Sequence, residues 1–227
     1  MSVAVVTGAG RGIGRAVAHK LAARGHDVAL LARTVGELDD SARPIVALGR
    51  RALVLRCDVA SGADVARASE TVLRELGAPD VVVNNAGVVR RALVHEMTEA
   101  EWDLVLNVNL RGAFLITRAF LPSMLARGRG RSVSVGSISA TLGTARQSAY
   151  CAAKWGLVGF VKSLAEELRG TGLQAMCVLP GSVDTEMLKG SGFAPQMTPE
   201  EVADAVVYAA LDAPAAMNGS AIEMFGP

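Results

Sequence analysis

A chain of 227 residues, 51% hydrophobic but only 4% aromatic, is long enough for one sizeable core, which must be built from Ala, Val and Leu. A formal net charge of +1 argues against a broad nucleic-acid surface, so no nucleic-acid partner is expected. No apolar run reads as membrane-spanning and an apolar β-type run already opens at Val3; neither a membrane anchor nor a signal peptide is expected, and the chain reads as cytoplasmic.

The first strand, 2–6, enters Thr7-Gly8-Ala9-Gly10-Arg11-Gly12-Ile13-Gly14, and an amphipathic helix over 12–24 leaves it, with Gly25 just past its end. Strand, glycine loop and helix in that order read as a dinucleotide-binding turn, against the alternative of a glycine-rich turn with no ligand. Glycines let the backbone turn tightly and approach a pyrophosphate, which rests on the helix N-terminus. The spacing Gly8-x-x-x-Gly12-x-Gly14 is wider than the common G-x-G-x-x-G.

A second strand, 27–31, leads to Ala32-Arg33-Thr34 and a helix over 36–48. At this strand end a carboxylate holds a ribose 2′-hydroxyl, whereas a guanidinium suits a 2′-phosphate. Ala32 removes the carboxylate, Arg33 supplies a cation and Arg11 offers a second, which favours NADP(H) over NAD(H); two solvated arginines are the alternative. The third strand, 52–57, ends at Asp58 and Val59, where Asp58 either accepts from an adenine amine or caps the helix over 62–76. The fourth, 80–84, ends in Asn84-Asn85-Ala86-Gly87, whose small residues admit a cofactor close to the backbone, or which form a plain turn. Arg90 and Arg91 read as residues of a cleft mouth or as a solvated pair, and His95 as an exposed or structural loop histidine.

A long helix over 99–126 carries Asn107 and Asn109, and strand 131–136 lies in a serine-rich stretch with Ser132, Ser134, Ser137 and Ser139. Helix 148–169, strand 173–179, helix 199–212 and strand 220–224 complete the series. Between them, segment 186–198 reads as a lid, with Met187, Leu188, Phe193 and Met197 on a loop hinged by Gly190 and Gly192. Cys57, Cys151 and Cys177 lack metal-type spacing and read as reduced thiols, so no metal site is expected. Strands alternating with helices, without a linker or repeat, predict an α/β fold: a doubly wound parallel sheet of the Rossmann type in one domain, 1–227. Ligands of such a sheet sit beyond the strand C-termini.

Tyr150 and Lys154 stand four apart on one predicted helix face, about 6 Å of rise from each other. A phenol ordinarily ionises near pH ~10, and moving that to ~7 takes roughly 4 kcal/mol, which a fixed ammonium beside it can supply. Such pairs also arise by chance on helix surfaces. The preceding serines and the opening glycine loop give this one its weight.

Together these motifs resemble the short-chain dehydrogenases/reductases of the single-domain type, with the bacterial 3-oxoacyl-carrier-protein reductases as the nearest group. The resemblance runs from Val3 to about Thr185 and more loosely beyond. It rests on Thr7–Gly14 as the cofactor loop, Asn84–Gly87 as the tetrapeptide and Asn109 before Leu-Arg-Gly. It rests also on Ser137, 13 positions before Tyr150, on Tyr150-x-x-x-Lys154, and on Pro180-Gly-Ser-Val-Asp-Thr185. Ser137 is chosen over Ser134 and Ser139 by spacing, and Asn109 over Asn107 by the residues after it.

The resemblance implies a reversible hydride transfer between NADP(H) and a carbonyl or alcohol, with Asn109, Ser137, Tyr150 and Lys154 as the catalytic set. Tyr150 would be the proton donor, Ser137 a hydrogen-bond donor to the same oxygen, and Lys154 the residue that holds the ribose and lowers the Tyr150 pKa. Asn109 would position a water linked to Lys154. Gly8, Arg11, Gly12, Ile13, Gly14, Arg33, Asp58, Val59, Asn85, Ala86, Gly87, Val183 and Thr185 would line the cofactor, together with Tyr150 and Lys154. It also implies a homodimer or homotetramer, and a carrier-protein partner has Arg127, Arg129 and Arg169 as its candidate docking residues. The lid is shorter than in many relatives and the end, Ile222–Pro227, lacks the family's diglycine tail. A redox-sensing NADP(H)-binding regulator without turnover is the alternative, set back by the intact catalytic set.

Overall fold

The computed structural model describes residues 2–226. Seven strands form one parallel sheet in the order β3-β2-β1-β4-β5-β6-β7: β1 Ser2–Thr7, β2 His26–Ala32, β3 Ala52–Arg56, β4 Val81–Asn84, β5 Gly130–Val135, β6 Leu173–Pro180 and β7 Ala221–Met224. The inner strands are apolar on both faces, as a sheet covered on both sides requires; β1 and β4 are buried almost throughout.

Helices α1 (Gly12–Ala23), α2 (Val35–Ala47) and α7 (Pro199–Val207) cover one face, where Val17, Leu21, Leu38, Ile45 and Val206 pack on Val6, Leu30 and Val178. On the other face lie α3 (Gly62–Glu75), α5 (Gly112–Arg127) and α6 (Ser148–Glu167), with Val72, Ile116, Phe120 and Leu164 against Val5, Val82 and Cys177. The order reverses between β1 and β4, and there the C-terminal ends of the strands open the crevice that this class of sheet uses for ligands.

The predicted elements are all present, with their ends within a residue or two of expectation, apart from two helices. The expected helix over 99–126 is α4 (Glu99–Leu106), a π-helical turn over Asn107–Arg111, and α5. Its start carries a full capping box between Thr98 and Glu101. The expected helix over 199–212 likewise passes into a π turn at Tyr208–Asp212. The whole of Glu99–Arg127, 29 residues, is long and apolar enough to cross a membrane, contrary to the expectation that no run would be; half of its most apolar stretch is buried in the domain, as in a core helix.

Candidate active site

Backbone geometry shapes the glycine loop. Gly8 (φ +65°) and Gly12 (φ +52°) adopt left-handed conformations that disfavour any side chain. Gly14 has another reason: a Cβ there would lie 2.2 Å from the Gly8 carbonyl oxygen and 2.4 Å from Asn85 Nδ2. That tight contact exists because Asn85 Nδ2 donates to the Thr7 carbonyl at 2.9 Å and to that of Gly8 at 3.3 Å. Thr7 completes the joint, its Oγ1 accepting from the amides of Asn85 (3.0 Å) and Ala86 (3.1 Å). Asn85 thus braces the loop. Thr7 opens the expected cofactor loop but was not among the residues expected to line the cofactor.

A cleft of about 1190 Å³ runs from this loop over the ends of the strands. Fifteen of the expected residues line it, while Gly14 and Asn109 stand behind its wall. The cradle fits a dinucleotide: its floor is backbone, and near Gly12 only the Thr185 methyl approaches the space a Cβ would take.

At the end of the cleft beside β2 Arg33 is exposed and free to turn to a ligand. Arg11 is also exposed but already pairs with Glu37 at 3.5 Å, a carboxylate that sequence reasoning overlooked although it lies four residues past Arg33. The same helix start is braced by Arg15, whose Nε donates to Ser41 at 3.0 Å. Asp58 accepts from the Ala60 amide at 3.0 Å, and the cap of α3 is Ser61, not Asp58.

At the other end Ser137, Tyr150 and Lys154 converge, all buried. Lys154 Nζ donates to the Val135 carbonyl at 2.8 Å and lies 5.5 Å from the Tyr150 ring centroid. Burial pushes the Tyr150 phenol up to about 12, with Ser137 and Arg91 pulling the other way; Lys154 is not among the groups that shift it. Burial also lowers Lys154, to about 8. The premise that the ammonium depresses the phenol is therefore not met in this arrangement, because Lys154 is turned to the strand and the same desolvation acts on both groups. Ser137 Oγ accepts from the Ser139 amide at 3.1 Å, which fixes it at the cleft rim.

Asn109 belongs to the π turn. Its Nδ2 donates to the carbonyls of Val88 (2.8 Å) and Val105 (2.9 Å), while its Oδ1 is buried without a partner. Asn84 Oδ1 is equally unpartnered, and both asparagines line a void of about 10 Å³, room for about one water. Asn107 is not so placed.

The presumed lid is of two kinds. Met197 is buried in the core and bridges to Val183, whereas Met187 and Phe193 are exposed. Arg91 Nη2 donates to the Met187 carbonyl at 2.9 Å, so Arg91 is not half of a solvated pair; Arg90 is exposed. His95 is exposed, and Trp155 is 55% exposed. The three arginines considered for protein docking are engaged: Arg127 and Arg129 with Asp80 and Arg169 with Glu166. Among the described residues no group of His, Cys, Asp or Glu could hold a metal.

A parallel doubly wound sheet with a glycine-floored cleft at its switch point defines a dinucleotide-binding α/β protein. The family profile "short chain dehydrogenase" matches residues 2–194, and the chain belongs to that family of nicotinamide-dependent oxidoreductases. It is 35% identical over 237 residues to the 3-oxoacyl-acyl-carrier-protein reductase of Escherichia coli strain K12, covering 99% of this chain and 96% of the relative. Among solved structures it is similar to a short-chain type dehydrogenase/reductase from Mycobacterium marinum, with TM-score 0.94, 30% identity and coverage of 99% and 94%. An alcohol dehydrogenase from Thermococcus sibiricus, solved with 5-hydroxy-NADP, gives TM-score 0.90 at 30% identity, with coverage of 99% and 96%.

Proposed function

We propose that this chain is an NADP(H)-dependent oxidoreductase that interconverts a ketone and a secondary alcohol, with Tyr150 as acid and base. The observation that carries the reading is the convergence of Tyr150, Ser137 and Lys154 at the end of the cleft away from Arg33. Arg33, unpaired by any carboxylate among the described residues, supports the 2′-phosphate. The relative crystallised with an NADP derivative is in keeping with it.

When bound, the nicotinamide supplies or accepts the hydride. The chain's own residues do the rest. A phenol is protonated at neutral pH, the state a proton donor to a developing alkoxide needs; the burial that raises the Tyr150 pKa opposes its proton-accepting role in the reverse direction. Ser137 steadies the same oxygen by a hydrogen bond. Lys154, freed from the Val135 carbonyl, would hold the ribose hydroxyls. Asn109, beside a void of one water's size, would keep the water that restores the proton.

The exposed Met187 and Phe193 support an apolar substrate, such as a medium-chain or aryl ketone or a 3-oxoacyl derivative, over a sugar or polyol. The engaged arginines give no support to a carrier-protein docking patch. The reading also carries a cytoplasmic location with it.

The test is an absorbance screen of NADPH oxidation against ketones, β-keto esters, 3-oxoacyl thioesters and a matched polyol-type sugar. Turnover is expected on the apolar carbonyls, and Tyr150→Phe should lower it at least ~10²-fold while leaving NADPH binding intact. Near-normal turnover in that variant would falsify the role of Tyr150.

A further inference from the structure

Arg91 is a cleft-lining cation that the proposed chemistry leaves unused. It lies in the stretch after β4, between an exposed Arg90 and an exposed Leu93, yet its own side chain is half-buried and lines the cleft with Ser137, Gln147 and Tyr150. The neighbouring Ala92 amide donates to the Arg146 carbonyl at 3.0 Å, which ties the segment down next to Gln147. Arg91 Nη2 reaches the Met187 carbonyl, and its Nε is buried with no acceptor at all. The nearest acid in sequence to that contact, Glu186, is held by Lys189 at 2.5 Å. No carboxylate among the described residues answers the Arg91 charge, and that charge is felt at Tyr150.

A guanidinium in this state is asymmetric. Nη2 donates to a backbone carbonyl, while Nε, which with that same Nη2 forms a fork that matches a planar carboxylate, is unsatisfied. Leaving a buried charged donor unmade is unfavourable, so the site is arranged for an acceptor that arrives with a ligand.

We propose that Arg91 is a substrate-binding residue, and that the preferred substrates carry a carboxylate or similar anionic group a few atoms from the reacting carbonyl, on an otherwise apolar chain. The inference rests on the oxidoreductase reading above and narrows it from ketones in general to carbonyl acids. Binding the acid through Nε and a terminal nitrogen would draw Arg91 from the Met187 carbonyl or share it, and so join substrate entry to the lid.

The comparison is between acid and methyl ester of the same carbonyl compound, 3-oxobutanoate and 4-oxopentanoate, with NADPH at saturation. In the wild-type protein kcat/KM for the better acid should exceed that for its ester about 10-fold or more, the effect of one charge-assisted hydrogen-bonded contact. Arg91→Met should bring the ratio to within about 3-fold by lowering the acid alone, and Arg91→Lys should keep part of the preference. A wild-type protein indifferent to the charge overturns the proposal, even if the variant does not fold. An Arg91→Met variant that loses acid and ester in parallel assigns Arg91 to the lid alone and overturns it as well. Should no carbonyl compound be reduced, the oxidoreductase reading fails by itself. Calorimetric binding of 3-hydroxybutanoate against its methyl ester to the NADP⁺-loaded protein then decides the Arg91 site, equal affinities counting against it.

Discussion

Tyr150 and Lys154 share one buried site, so each favours its neutral form: the phenol is held up to about 12 and the ammonium brought down to about 8. The sign of the consequence follows. Below pH ~8 the folded protein carries a charged Lys154; as pH rises through that value it loses the charge, whereas Tyr150 keeps its proton far beyond. If a charged Lys154 holds the ribose, reductive kcat/KM should fall above pH ~8, and the limb belongs to lysine and not to tyrosine. Lys154→Arg, which stays charged, should flatten that limb whatever its absolute rate; a limb that survives in the arginine variant removes Lys154 from the assignment. At the other end of the cleft, Arg33→Asp should turn preference from NADPH towards NADH, since a carboxylate repels a phosphate and accepts from a hydroxyl. Arg11→Ala should weaken NADPH less, because Arg11 already shares its charge with Glu37 at 3.5 Å. Fluorescence titration with both nucleotides measures this, and equal affinities in the unmodified protein would defeat the 2′-phosphate argument.

Among the elements, the loop between β1 and α1 was the most legible, because its glycines are dictated by local backbone geometry. What the spacing could not reveal is that Gly14 is required by the packing of Asn85, a residue from β4's end. Gly14→Ala would push a methyl into the Gly8 backbone, which cannot yield as a side-chain tip can, and should destabilise the fold by about 1–3 kcal/mol and weaken nucleotide binding. Gly36→Ala, inside α2 with nothing within 4 Å of the added carbon, should instead be neutral or stabilise by up to about 1 kcal/mol. Urea unfolding of the two variants distinguishes a required glycine from a tolerated one. The helix over 99–127 was legible as a helix but not as an interrupted one. Its π turn depends on contacts from outside the segment: Asn109 reaching the Val88 carbonyl, and Gly112 lying so close to Val59 that a Cβ would come within 2.8 Å.

On the scale of the molecule, α5 and α6 leave apolar side chains uncovered. Phe114 (41% exposed), with Arg118 over its ring at 5.1 Å, meets Phe160 edge-on at 6.4 Å, and Trp155 is 55% exposed nearby in sequence. Apolar faces of this kind commonly belong to an interface, and the family resemblance implies that the partner is a second copy. Light scattering at micromolar concentration should therefore report a dimer or tetramer, and Trp155→Glu should shift it towards smaller species. A mass near 23.5 kDa for the unmodified protein would refute the assembly.

Period and punctuation along the chain determined the strand and helix series, the parallel winding and the ligand-bearing edge, because each depends on neighbours a few residues apart. Tyr150 and Lys154 were legible as a pair for the same reason, being on one helix face, whereas Ser137 was singled out only by the spacing that the family resemblance implies. Only the tertiary structure decided the electrostatic state of that set, since burial and the Val135 carbonyl, 19 residues from Lys154, govern it. The same holds for Arg91, whose partner carbonyl lies 96 residues away. In the sequence it was one of two adjacent arginines; burial of its Nε, created by chain segments that meet only in the folded molecule, is what separates it from Arg90.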